Sequence, residues 1–190
     1  VIMLALDEGM PKVMNLKEVI GAFVRFREIV ITRRTIYLLN KARDKAHILL
    51  GVRIAVSNID EVIRIIRGAS NPSVAKDLLM EKAWDCASII NLIKLVDDKA
   101  NIKDNGTIHL SEIQAKAILE MRLQRLTAME KDKIENDLGD LTREITEYVD
   151  ILSTRRKLLA ILKSELIRVK DEFATPRRTD IIEGSFDQDI

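Results

Sequence analysis

"LSEIQAKAILEMRLQRLTAMEKDKIENDL", residues 110–138, contains two helix-start signals of one kind, and their placement decides the fold. Ser111 is followed three residues later by Gln114, and Thr127 by Glu130. In each pair the hydroxyl is suited to accept from the N3 amide while the N3 side chain reaches back to the cap, the arrangement of a capping box. A short helix is therefore predicted over 112–126, with a second helix opening at Thr127. An unbroken helix would need no second start, so Thr127 marks a change of chain direction, the joint between a globular knob and a stalk.

On the far side of Thr127 apolar residues recur at heptad spacing: Ile134, Leu138, Leu141, Ile145, Tyr148 and Leu152, then Leu159, Leu162, Leu166, Val169 and Phe173. Near the start of the chain, Asn15 with Glu18 at N3 offers another cap. A second stripe follows through Leu16, Val19, Phe23, Phe26 and Val30, resumes after Arg33 and Arg34 at Ile36, Leu39, Ala42 and Ala46, and runs out near Val56. Each stripe spans roughly 40 residues, a rod of about 60 Å. Residues between them read as shorter helical pieces at 58–67, 72–80 (capped by Asn71), 89–96 and 112–126, with "DDKANIKDNGTIHL" as an exposed loop. Two matched rods joined by so long an insertion bury each other most economically as an antiparallel pair; the competing arrangement is a parallel coiled coil of each rod with another chain.

The expected fold class is mainly α: a long antiparallel two-helix coiled-coil stalk, a small helical globular knob inserted between its helices, and a short β hairpin at the N-terminal end. "VIMLAL" reads as a strand, with Asp7, Glu8, Gly9 and Pro11 turning the chain before "KVMN". The expected divisions are 1–14 for the end of an upstream unit, 15–57 for the first stalk helix, 58–126 for the knob, 127–174 for the second stalk helix and 175–190 for a return segment and linker. Without an initiating methionine, the chain is expected to be a fragment of a longer protein.

The bulk properties agree with helices. Charged residues make up 32% and aromatics only 4%, a mixture that suits long solvated rods better than sheet. Lys and Arg number 31 against 30 Asp and Glu, so no global charge drives the chain to nucleic acid or membrane. One cysteine, Cys86, forbids an internal disulfide, and His47 and His109 stand too far apart for a zinc spacing. A cytoplasmic location is the default, with no membrane partner, because no apolar run approaches a transmembrane length.

Catalytic chemistry is not legible. Tyr37 and Tyr148 fall at apolar stripe positions and read as packing residues; Cys86 reads as a quiet buried thiol. His47 reads as a stalk residue and His109 as solvated. No glycine loop cradles a phosphate. No catalytic, cofactor-binding or metal-binding residue is assigned.

Three sets of residues remain as candidate sites. The 112–126 helix carries apolar residues on two sides: Ala115, Ile118, Leu119, Leu123 and Leu126 form one stripe, and Ile113, Ala117 and Met121 lie nearly opposite. One face fills the knob, and the second meets a neighbouring helix or a second subunit; Ile113, Ala117 and Met121 are the candidate dimer interface. Arg25, Arg27, Arg33 and Arg34, with Arg177 and Arg178 from beyond the second rod, converge at the end distant from the knob if the rods are antiparallel, a candidate contact for DNA phosphate or for a platform. Solvated or ion-paired arginines are the alternative. Ser153, Thr154 and Arg155 form a candidate hinge, because an arginine at a seam position and two cap-forming residues favour an interruption; a continuous helix with Arg155 snorkelling is the competing form.

The stretch "DEGMPKVMNLKEVIGAFVRFREIVITRRTIYLLNKARDKAHILLGVRIAVSNIDEVIRIIR", then "LSEIQAKAILEMRLQRLTAMEKDKIENDL", then "RRTDI", resembles the later part of the breakage-reunion region of the gyrase A family, with topoisomerase IV as near relative. The resemblance spans almost the whole chain and is loosest over 69–109. It implies a part of a type IIA DNA topoisomerase, with coiled-coil arms and a terminal C-gate where two copies of the chain meet as a homodimer. The partners it implies are double-stranded DNA and the gyrase B protein, in an A2B2 complex that uses ATP and magnesium in the B protein. The family's "RYTE"-like motif with the catalytic tyrosine does not occur here, so the chain alone is expected to be inactive. The equivalent piece of topoisomerase IV, and a nucleic-acid-gripping helical arm of an unrelated protein, are the alternative readings.

Overall fold

A computed structural model describes residues 3–86, 89–96, 106–121 and 128–180. Two strands open the chain, β1 (Met3–Asp7) and β2 (Met10–Met14), paired antiparallel with Asp7 opposite Met10 and Met3 opposite Met14. Glu8 (φ 54°) and Gly9 (φ 83°) both take left-handed backbone. That is the two-residue turn whose twist matches a hairpin, and it is why glycine occupies the second position.

Asn15 then starts α1 (Leu16–Ser57): its side chain accepts from the Glu18 amide, and the Glu18 carboxylate accepts in return from the Asn15 amide, completing the expected capping box. At 42 residues the helix is about 63 Å long. It is followed by α2 (Ile59–Gly68), α3 (Pro72–Glu81), α4 (Ile90–Val96) and α5 (Glu112–Glu120), then by α6 (Ala128–Ser153) and α7 (Arg155–Phe173). Asn71 caps α3 by accepting from the Val74 amide, with Pro72 at the first helical position where its missing N–H costs nothing.

The long helices pack antiparallel. Arg53 of α1 meets Glu135 of α6 at 2.5 Å, and Arg27 of α1 meets Glu165 of α7 at 2.8 Å, so residue numbers fall on one helix as they rise on the other. The main core lies where α1 and α6 hold the short helices. It joins Ala42, Ala46, Leu50 and Ile54 of α1 to Ile145 and Leu138 of α6, and to Val62, Leu79, Ile93, Ala115 and Ile118. Trp84 is buried among them, its indole N–H donating to the Leu79 carbonyl at 2.9 Å.

Four features differ from the sequence expectations. First, the α1 seam sits one residue away from the expected stripe over its first half: Ile31 and Thr35 are buried, while Phe23, Phe26, Ile36 and Tyr37 are exposed. Tyr37, at 64% exposure, is not a packing residue. Thr35 fits the seam because its hydroxyl donates to the Ile31 carbonyl at 2.8 Å, so the buried oxygen is not left without a bond. Second, the knob holds a small sheet, β3 (Ala83–Asp85), which falls between two expected helical pieces, with β4 (Thr107–His109), which falls in the expected loop. Strands of three residues are too short to show an alternating pattern, and Gly106, at φ 74°, admits the turn into β4.

Third, α5 stops at Glu120 instead of running to 126. Met121 adopts extended backbone, and its amide closes the helix on the carbonyls of Ala117 and Ile118. Neither glycine nor proline signals that stop. The second expected capping box, Thr127 with Glu130, lies outside the described residues, as do Leu123 and Leu126. Fourth, the second seam fades beyond the interruption expected at 153–155, where Thr154 has extended backbone (φ −136°, ψ 114°) between α6 and α7. Beyond it Leu158 and Leu162 are buried, while Leu166, Val169 and Phe173 of the expected seam are exposed.

Candidate functional site

The knob is seated on α1 by a polar circuit. Ser111 caps α5, its hydroxyl accepting from the Gln114 amide (3.2 Å) while its own amide donates to Gln114 Oε1 (3.0 Å). Gln114, only 3% exposed, donates from Nε2 to the His47 carbonyl at 2.7 Å, and His47 Nε2 lies 2.8 Å from the Ser111 hydroxyl. Gly51 makes this possible, because a Cβ there would lie 2.6 Å from both Cβ and Cγ of Gln114. His47 thus helps dock the knob, and Gln114 and Gly51 are packing positions of the same mount that stripe counting missed. Glycine inside a long helix opposite a capping box was the available signal.

With α5 fixed in this way, Ala115 and Ile118 are fully buried and Ile113 is turned outward at 60% exposure. Ala117 and Met121 are half-buried. Two further apolar residues, Val74 and Leu78, stand exposed on α3, which is tied to α5 by Lys76 and Glu112 at 3.0 Å. Val74 and Leu78 were not among the expected residues; their spacing of four on a helix whose Ala75 and Leu79 are buried shows why they project away from the core.

The basic set is only partly assembled, and most of it is neutralised. Arg25 pairs with Asp7 of the hairpin at 3.2 Å. Arg27 and Arg34 both reach Glu165 of α7, at 2.8 and 2.5 Å. The Arg34 guanidinium, with Arg27, holds the Glu165 carboxyl below the usual carboxylate range in spite of its burial. Arg33 and Arg178 are exposed, and Arg177 Nε donates to the Thr179 carbonyl at 2.8 Å. Arg177 and Arg178 lie in the segment that follows the end of α7 at Phe173. The sequence did not single out Glu165, which binds Arg27 and Arg34; Glu28, an acid close to these arginines in sequence, binds Arg155 instead.

At the Thr154 break the Arg155 side chain is 74% exposed, so its charge stays open to water. It reaches across to α1, where Nε and Nη2 donate to the two oxygens of Glu28 at 3.2 and 3.0 Å. Thr154 occupies the cap position of α7 but its side chain accepts no capping bond. Ser153 donates its hydroxyl back to the Asp150 carbonyl at 2.8 Å. Lys157 of α7 pairs with Asp150 of α6, spanning the joint.

Nucleophiles are quiet where they are buried. Burial, with the charge of Asp85, pushes the Cys86 thiol up, and the thiol donates to the Gly106 carbonyl. Burial likewise raises Tyr148, which packs at the edge of the main core. His109 Nδ1 lies 3.2 Å from the Met80 carbonyl. Among the described residues no group of His, Cys, Asp or Glu is placed to hold a metal ion, and no helix is long and apolar enough to cross a membrane.

Known proteins supply the context. The chain is 69% identical over 190 residues to the gyrase A protein (the DNA gyrase A chain) of Rickettsia bellii, 45% identical over 188 residues to that of Granulibacter bethesdensis, and 40% identical over 198 residues to that of Salmonella typhimurium. These alignments cover 100%, 98% and 99% of this chain but 21%, 20% and 22% of the relatives, so the chain spans about a fifth of their length. The family of DNA gyrase and topoisomerase IV A proteins matches residues 1–167, and the chain belongs to that family.

Proposed function

We propose that this chain is the coiled-coil arm and dimerising exit gate of a type IIA topoisomerase A protein, the gyrase form in preference to topoisomerase IV. The elements α2 to α5 form the gate, covering 58–126 between arm segments at 15–57 and 127–174. Two copies meet through Ile113, Ala117 and Met121, extended by Val74 and Leu78. The observation that carries this reading is Ile113, 60% exposed on a helix whose opposite face is locked into the core. An isoleucine held outward by a rigid mount favours burial in a partner over continued exposure.

In the whole enzyme, the gyrase B protein binds ATP and magnesium, duplex DNA is cut elsewhere, and this gate holds or releases the transported duplex in the cytoplasm. Arg33, Arg177 and Arg178 face the DNA or its platform; Arg25, Arg27 and Arg34 serve the arm's own structure. The chain supplies no nucleophile for cleavage and is inactive alone. At Ser153, Thr154 and Arg155 the arm bends, because a missing step in the helix ladder concentrates flexing there.

Sedimentation of the chain against its Ile113→Glu variant tests the gate. A charge buried in the contact costs several kcal/mol, so the wild-type chain is expected to sediment as a dimer and the variant as a folded monomer. A dimer in both, or a monomer in both, would remove this face from the reading.

A further inference from the structure

The two halves of the arm share apolar packing and ion pairs in different proportions, with the large core on the α6 side and a small one on the α7 side. Along α6, Leu138 and Ile145 are buried in the main core. Along α7 only Leu158 and Leu162 are buried, in a separate small cluster with Ile31 of α1. Val24, Leu159 and Ile161 pack partly buried against that small cluster, and ionic contacts flank it: Arg155 on both oxygens of Glu28, and Glu165 bound at one oxygen by Arg27 and at the other by Arg34.

The Glu165 arrangement has a particular geometry. Arg27 and Arg34 are one heptad apart on a continuous helix, about 10.5 Å along its axis, and the carboxylate sits between them. A small displacement of α7 along α1 lengthens one ion pair while the carboxylate keeps the other. Interdigitated apolar packing resists such a shift, because its side chains must leave their holes together. Ion pairs between flexible, partly exposed side chains yield gradually and weaken with salt. Here α1 is unbroken from Leu16 to Ser57 and α7 begins afresh after Thr154, so α1 is the fixed member and α7 the movable one. Asp150 and Lys157 keep the two halves of the second rod tied across the joint.

We propose that α7 is a strut that shifts along α1 about the Thr154 joint, with Glu165 as a salt-sensitive latch that passes between Arg27 and Arg34. This rests on the hinge reading of Thr154, and it adds a direction of motion and the residues that resist it. Arg27 and Arg34 are then latch residues, not ligands of phosphate.

Spin labels on the 190-residue chain test it, with Cys86 replaced by alanine, one pair at Ile29→Cys and Ser164→Cys across α1 and α7, and a reference pair at Lys41→Cys and Glu147→Cys across α1 and α6. At low salt both pairs are expected to give one narrow distance population. Glu165→Gln, or about 1 M salt without any substitution, is expected to give the 29/164 pair a second population displaced by about one helical turn, ~5 Å, while the 41/147 pair stays narrow. Distances at 29/164 that ignore both treatments would overturn the latch, and equal broadening of both pairs would overturn it in favour of general loosening. Amide exchange at Thr154 to Lys157 separates the two layers of the reading: protection equal to the flanking helices removes the hinge itself, whereas fast exchange with unmoved distances removes only the latch.

Discussion

Replacing Gly51 with alanine probes how the knob is mounted on the arm. In an open helical site the change stabilises by about 0.5–1 kcal/mol, because glycine loses more backbone freedom on folding. At Gly51 the new Cβ would stand 2.6 Å from Gln114 Cβ and Cγ and 3.0 Å from Cδ. Carbon atoms prefer about 3.5–4.0 Å, so Gln114 must retreat by about an ångström. Its Cβ is fixed to the α5 backbone and has no freedom to swing aside, and retreat withdraws Nε2 from the His47 carbonyl now 2.7 Å away. Overpacking costs about 1–3 kcal/mol and the lost bond about 1 kcal/mol. Against the helix gain, the net destabilisation expected is roughly 1–3 kcal/mol. Gly139, on α6, supplies the contrast, because a methyl group there would meet nothing within 4 Å. Gly139→Ala should therefore stabilise by about 0.5–1 kcal/mol. Urea denaturation measures both. A Gly51→Ala midpoint that rises like that of Gly139→Ala would refute the close α1–α5 mount.

Three further outcomes follow from the same geometry. Ile145→Ala should cost about 2–5 kcal/mol in the same denaturation assay, since Ile145 is fully buried between α1 and α6, whereas Leu166→Ala, at an exposed position, should cost far less. Glu165 has its carboxyl pKa lowered in the folded state, so it contributes stability at neutral pH that is lost as pH falls through and below the ordinary carboxylate range; a Glu165→Gln variant should lose that part of the acid dependence. Cys86, buried with its thiol pKa raised, should react with a thiol reagent only as fast as the fold opens, and prompt reaction in native buffer would contradict its placement.

The elements most legible in the sequence were those with long periods or explicit caps. Asn15 with Glu18, Ser111 with Gln114, and Asn71 before Pro72 all occur as capped helix starts, because capping is a local negotiation between a side chain and nearby amides. Seam register was less legible. Phe23, Phe26 and Ile36 outweigh Thr35 on any hydrophobicity count, yet Thr35 is inside because its hydroxyl bonds the helix carbonyl behind it. The β3–β4 pairing was hidden because its hydrogen-bond partners lie over twenty residues apart and neither strand is long enough to carry a pattern. Ionic contacts across the arm were hidden for a similar reason: Arg27, Arg34 and Arg155 are visible as charges, but their partners Glu165 and Glu28 become partners only when the rods are laid antiparallel in one register.

The gate itself can be tested by covalent capture. Ile113→Cys, in a chain whose Cys86 is replaced by alanine, should be joined to its copy in a second chain by a short bismaleimide, giving a cross-linked dimer at low protein concentration. Phe26→Cys, exposed at 62% on the arm away from the knob, should give monomer under the same treatment. Capture at Phe26 without capture at Ile113 would place the contact between copies at the other end of the arm and contradict the gate.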